Sequence, residues 1–212
     1  MEGRGTGASM EETRIPALLL NRLLREVGRT MGRRSLIALL RRADLEAYVD
    51  YPPPDDDTPS ITVAEWSTLV AEIYETFGPK VTQMILWRAG TAAATAFRGR
   101  PLAARVAGTA MRLLPTERRL RLALERLAAQ GEASFGTAHR LHEGPDAYYL
   151  VVTDCPHCAA LPPEQRVRRP VCHLMAAAIA DTVEWATGEK HLVEEVACIA
   201  RGDEECRFRV AI

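Results

Sequence analysis

The stretch VEEVACIARGDEECRFRV, residues 193–210, decides how this chain closes its fold. Two strand-like runs, His191 to Ala200 and Cys206 to Ile212, flank the turn residues Arg201-Gly202-Asp203-Glu204-Glu205, which is the pattern of an antiparallel hairpin. A hairpin brings same-face side chains of its two strands within about 5 Å, so Cys198 and Cys206 are expected to be neighbours. Glu195 precedes Cys198 by three residues and falls on the opposite face of an ideal strand. It needs a bulge or a twist to aim at the same point.

Upstream, Val171 to Thr187 reads as an alanine-rich helix containing Leu174, Ile179, Val183 and Trp185, ended by Gly188. Cys172 stands at its start, after Pro170, where the amide dipoles favour a thiolate. Cys172, Glu195, Cys198 and Cys206 together offer three thiolates and a carboxylate, a donor set suited to zinc in a tetrahedral shell. Such a shell has no open position, so the ion is structural: a staple between the last hairpin and the helix. Isolated cysteines are also common as small buried hydrophobes. All five cysteines of the chain, however, lie in its last quarter, and in a reducing compartment such crowding points to metal rather than to disulfides.

Cys155-Pro156-His157-Cys158 is a second zinc or redox signature. With Cys198 and Cys206 it would also supply four thiolates, leaving Cys172 or His173 spare. A redox pair is a third reading, but no thioredoxin-like strand-to-helix context surrounds it. The residues alone leave these sets in competition.

Ahead of the knuckle, Ser134 to Leu141 and Ala147 to Thr153 read as strands joined by the turn Glu143-Gly144-Pro145-Asp146. The part before residue 131 is helical. Leu19, Leu20, Leu23, Leu24 and Val27 recur at helical spacing within Ile15 to Met31, and Leu36 to Leu45 continues after Gly32. Tyr51 to Pro59, with Pro52-Pro53-Pro54 and Asp55-Asp56-Asp57, is an exposed connection. Thr62 and Glu65 form a capping box ahead of an amphipathic helix that stops at Gly78-Pro79. Lys80 to Phe97 carries few charges and is expected to be a helix buried on most sides. Arg98 to Gln130 is helical again, broken near Pro101 and Pro115, and its arginines read as a solvated face rather than a nucleic-acid site. The expected architecture is α+β: N-terminal helices, then an antiparallel sheet of two hairpins with an intervening helix. Residues 1–13 are expected to be a disordered tail and 14–212 a single domain, with a helical half over 14–130 and a zinc-containing half over 131–212.

The 212 residues include 27 basic and 28 acidic side chains, a net charge of -1, so no overall field favours nucleic acid or an anionic membrane. Met1 to Thr13 lacks the apolar stretch of a signal peptide, and no apolar run reaches the roughly 18 residues of a membrane span. A cytoplasmic protein is expected.

The run from Val193 to Val210, with Arg169-Pro170-Val171-Cys172-His173-Leu174 upstream, strongly resembles the closing motif of the 4-vinyl reductase domain family over about residues 131–212. The resemblance implies the fold shared with the sensor domains of aromatic-responsive sigma-54 activators, with vesicle-tethering transport-particle subunits and, more remotely, with haem nitric-oxide-binding domains. In the activator sensors a cysteine and a Glu-x2-Cys-x7-Cys run hold zinc. Carried over, this selects Cys172, Glu195, Cys198 and Cys206 and leaves Cys155 and Cys158 without an assigned role. A homodimer through the N-terminal helices is likewise implied by the resemblance.

The family's name suggests reduction of a vinyl group on a tetrapyrrole, but no Gly-rich dinucleotide fingerprint follows a strand here to supply a reductant. A ligand-binding role agrees better with the sensor relatives, although Tyr148-Tyr149-Leu150-Val151-Val152 has no tryptophan in the strand whose aromatic touches phenol in them. Pocket candidates are Met84, Trp87, Phe97, Tyr149 and Trp185, each of which also reads as ordinary core. His139 or His142 could hydrogen-bond a ligand. The expected function is a zinc-stabilised domain that senses or carries a small hydrophobic molecule and signals to a separate partner. The rivals are an enzyme or accessory factor acting on tetrapyrroles, and a structural adaptor.

Overall fold

The structure, a computed structural model, describes residues 12–98, 113–158 and 171–212. The expected tail, apart from its last two residues, and the helix break near Pro101 lie outside the described residues. Strand β1 (Arg14–Pro16) pairs antiparallel with β2 (Pro59–Thr62). Between them run helix α1 (Ala17–Arg42), interrupted at Gly32, and the short α2 (Ala47–Asp50). The Pro- and Asp-rich connection does more than span a gap. Its Thr58 and Asp56 carbonyls accept the Ala17 and Leu18 amides, both at 2.8 Å, and so satisfy donors that the first turn of α1 leaves free.

Helix α3 (Val63–Arg98) opens with the expected capping box. The Thr62 amide donates to Glu65 Oε2 at 2.7 Å and the Glu65 amide to Thr62 Oγ1 at 3.1 Å. At Gly78 the backbone turns left-handed, φ 73°, a conformation that glycine adopts without a Cβ clash, and helix resumes from Pro79. Beyond that break Thr82, Ile85, Leu86, Ala89, Gly90, Ala93 and Ala94 form one buried stripe. The stripe packs against α5 (His173–Thr187) so closely that a Cβ on Gly90 would stand 2.1 Å from the Leu174 carbonyl oxygen. The other face of the segment is open: Met84 and Trp87 are 38% and 41% exposed. The expectation of burial on most sides is therefore corrected, because the small residues that allow close approach face the neighbour and the large ones face away.

Helix α4 (Thr116–Phe135) ends at a left-handed Gly136. Ser134 and Phe135, expected to begin a strand, are buried in its last turn, and the boundary placed at residue 131 falls inside this helix. Arg121, one of the arginines on its solvated face, pairs with Glu125 and Glu143.

Strands β3 (His139–Glu143), β4 (Ala147–Val152), β5 (Val193–Ala197) and β6 (Cys206–Ala211) make one antiparallel sheet in the order β3-β4-β6-β5. Register aligns Tyr148 with Val210, Leu150 with Phe208 and Val152 with Cys206. These six side chains are buried in a core shared with Leu120 and Leu124 of α4 and Ile179 and Val183 of α5. A second core joins α1, α2 and α3. Among the described residues no helix is long and apolar enough to cross a membrane.

Candidate metal centre

The sheet, the head of α5 and the loop after β4 bring all five cysteines together, each buried and none in a disulfide. Because Val152 lies opposite Cys206, the chain leaving β4 emerges beside the first residue of β6. Asp154 then adopts a left-handed turn, φ 51°, which aspartate tolerates, and directs Cys155 to Cys158 back towards the sheet. The knuckle closes through the Cys158 amide, which donates to the Cys155 carbonyl at 3.2 Å. Helix α3 holds it from the other side. Ser67 Oγ donates to the Pro156 carbonyl, and Trp66 Nε1 donates to His157 Nδ1 at 3.2 Å.

The geometric objection to Glu195 is removed by the backbone. Glu195 pairs with Phe208 while Ala197 pairs with Arg207, so a β-bulge inserts one residue between them. Phe208 and Cys206 share a face of β6, and the bulge lets Glu195 and Cys198 share it too. Glu195 Oε2 accepts the Cys172 amide at 2.9 Å, tying β5 to the head of α5. The turn after Cys198 is held by the Cys198 amide donating to Asp203 Oδ2 at 2.7 Å, and the Ile199 amide points at Cys206 Sγ at 3.5 Å. Tyr74 of α3 donates to the Val171 carbonyl at 2.8 Å just before Cys172.

Two four-residue sets have ligand atoms within 4.8 Å of one another: Cys172, Glu195, Cys198 and Cys206, and Cys155, Cys158, Cys172 and Cys206. The alternative that joins the knuckle to Cys198 and Cys206 is not among them; the knuckle's partners are Cys172 and Cys206. The electrostatics suit a cation. Hydrogen bonds from Cys158, Cys172 and Cys206 pull the Cys198 thiol far below its ordinary range, whereas Cys172, hydrogen-bonded first to Cys155 and Cys158, is pushed up. Burial, followed by the negative charge on Cys198, raises Glu195 to about 8, and its Oε1 is buried with no hydrogen-bond partner. A carboxylate oxygen without a partner among thiols is what a bound cation would satisfy, so the residues present fit zinc. Bound there, zinc would act as a closed cross-link between the sheet, α5 and the loop.

A cavity of about 300 Å³ lies next to the knuckle, between α3, α4 and α5. Its apolar lining includes Leu19, Phe97, Leu127, Phe135, Leu174 and Trp185. Of the pocket candidates, Phe97 and Trp185 line it. Met84 and Trp87 lie on the exposed face of α3, and Tyr149, paired with His142 and Arg209, sits on the sheet face turned away from the core. His142 is exposed, and His139 is buried with its Nδ1 at 2.7 Å from the Thr137 carbonyl; neither lines the cavity. A cavity residue absent from the pocket candidates is His157, which lines it from inside the knuckle. Its ring packs edge-on to Trp66 and Phe135, burial lowers its pKa to about 3, and its Nε2 has no partner. The sequence does carry a signal for it: a histidine between two candidate ligands is held in place by them.

Residues 149–212 match the model of the V4R domain, which bears out the family read from the closing motif. An uncharacterized protein of Methanocaldococcus jannaschii is 35% identical over 63 residues, which is 30% of this chain; the chain spans about a third of that relative's length. Among solved structures, an H-NOX protein from S. oneidensis in its Fe(II)NO state superposes with a TM-score of 0.55 at 10% identity, covering 92% of this chain and 98% of that one. A structure from work on haem distortion in the H-NOX family gives 0.58 at 14% identity, over 93% and 95%. The phenol-bound sensory domain of the transcription activator PoxR gives 0.45 at 14%, over 71% and 74%. At these identities the H-NOX likeness is one of fold.

Proposed function

We propose that this chain is a zinc-stabilised domain, single over residues 14–212, that binds a small hydrophobic or aromatic molecule in order to sense or carry it. The observation that carries this reading is the mostly apolar cavity between α3, α4 and α5, with His157 and a few other polar residues in its lining. Ligand sites combine such a lining with few, placed polar groups. The V4R match supports it as well. Zinc on Cys172, Glu195, Cys198 and Cys206 is supported by the donor set and by the partnerless Glu195 oxygen. The wider reading is a cytoplasmic homodimer that signals to a separate partner, of which the dimer rests on the family resemblance.

At about 300 Å³ the cavity stands at the lower end of the range for small-molecule sites, which favours a compact ligand over a tetrapyrrole. Native mass spectrometry of the purified protein tests this. A co-purified or added small aromatic retained by the folded chain supports the reading. A retained tetrapyrrole would move it to the vinyl-reductase alternative. A chain that binds neither would move it to an adaptor, the role suggested by a transport-particle-like fold.

A further inference from the structure

We propose that the cysteine cluster is a two-metal centre, in which Cys155 and Cys158 hold a second divalent cation that shares the thiolates of Cys172 and Cys206 with the first. This rests on the zinc reading above and extends it. The two donor sets are not rivals in space: they overlap in Cys172 and Cys206, both fully buried, and each set completes four donors only by using that pair. One tetrahedral ion in either set leaves two donors of the other unused. Placed on the knuckle set, it strands Cys198 and the partnerless oxygen of Glu195; placed on the Glu195 set, it strands two buried thiols.

The sulfur spacings fit. Zinc–sulfur bonds of about 2.3 Å give a tetrahedron with sulfur–sulfur edges of about 3.8 Å. Cys155 Sγ lies 3.5 Å from Cys172 Sγ, Cys158 Sγ 3.5 Å from Cys206 Sγ, and Cys172 Sγ 3.7 Å from Cys206 Sγ. Three edges of the knuckle tetrahedron are therefore near their metal-bound lengths, and the third is the edge shared with the Glu195 set. The knuckle is also held for the task rather than left at the surface. Ser67 and Trp66 anchor Pro156 and His157 from α3, and both knuckle sulfurs turn to the cluster. The second ion would thereby fix the loop that carries His157 against the cavity.

Elemental analysis and native mass spectrometry of the full chain, prepared anaerobically without chelator and titrated with zinc alone, read the stoichiometry. X-ray absorption at the zinc edge reads bridging. Two zinc ions per chain with a zinc–zinc scattering path are expected, falling to one ion in the Cys155→Ser/Cys158→Ser variant. One ion in the wild type overturns the two-metal centre while leaving the single staple intact, and no ion overturns both. Two ions retained by the double variant would also overturn it. Should that variant fail to fold, the wild-type count decides alone.

Discussion

Replacing His157 by phenylalanine separates the polar contribution of the cavity wall from its apolar one. Trp66 Nε1 is a donor only, and it lies 3.2 Å from His157 Nδ1. Nδ1 therefore accepts, which places the ring proton on Nε2, the buried atom without a partner. A ligand oxygen that reaches this atom from the cavity would meet a donor that nothing else satisfies. Leaving such a group unpaired costs about 1–3 kcal/mol, so the wild type is expected to bind phenol about five- to over a hundred-fold more tightly than toluene. His157→Phe keeps the aromatic packing on Trp66 and Phe135, whose rings lie 5.8 and 5.2 Å away. It removes the donor and orphans the Trp66 N–H. The first loss erases the phenol preference, while the second destabilises the fold by about 1–3 kcal/mol, a fall in melting temperature of about 2–12 °C for a chain of this size. Calorimetric titration with both ligands, together with thermal unfolding, reads both effects. An unchanged phenol-to-toluene ratio in the variant would refute the argument that His157 points its proton at the ligand.

Gly90→Ala places a methyl group 2.1 Å from the Leu174 carbonyl oxygen, so α3 and α5 must separate; a loss of about 1–3 kcal/mol is expected by thermal unfolding, and an unchanged melting temperature would contradict the close approach. His139 has its pKa lowered chiefly by burial, partly opposed by the Thr137 carbonyl and by Glu132. The unfolded chain then takes up the proton first, so stability is expected to fall as pH drops below about 6.5. His139→Gln should reduce that slope between pH 7.5 and 5 to the part left by His157 and His173, which burial also lowers, and equal slopes would show that His139 contributes nothing to it.

The convergence of Cys172, Glu195, Cys198 and Cys206 was legible because thiol chemistry and turn spacing are local. Glu195 could be chosen only with a bulge, and the bulge stands between Glu195 and Ala197. Of the knuckle's neighbours, Cys206 was named from the sequence and Cys172 was not, since its approach depends on how the head of α5 packs against the loop after β4. The β1–β2 ribbon escaped notice for a related reason: three residues containing a proline, paired with a segment more than forty residues away, show no alternation. Met84 and Trp87 were read by size, whereas the face of α3 that packs is set by small residues, Gly90 among them. His157 was read only as part of a metal motif, and its place on the cavity emerges once α3, α4 and α5 are assembled.

Zinc content of the freshly prepared chain, measured beside that of Cys206→Ser, tests the account most directly, because Cys206 belongs to both donor sets. At least one zinc per wild-type chain is predicted, with the serine variant losing both metal and thermal stability. A wild type devoid of metal, or a variant that keeps its full complement and its melting temperature, would contradict it.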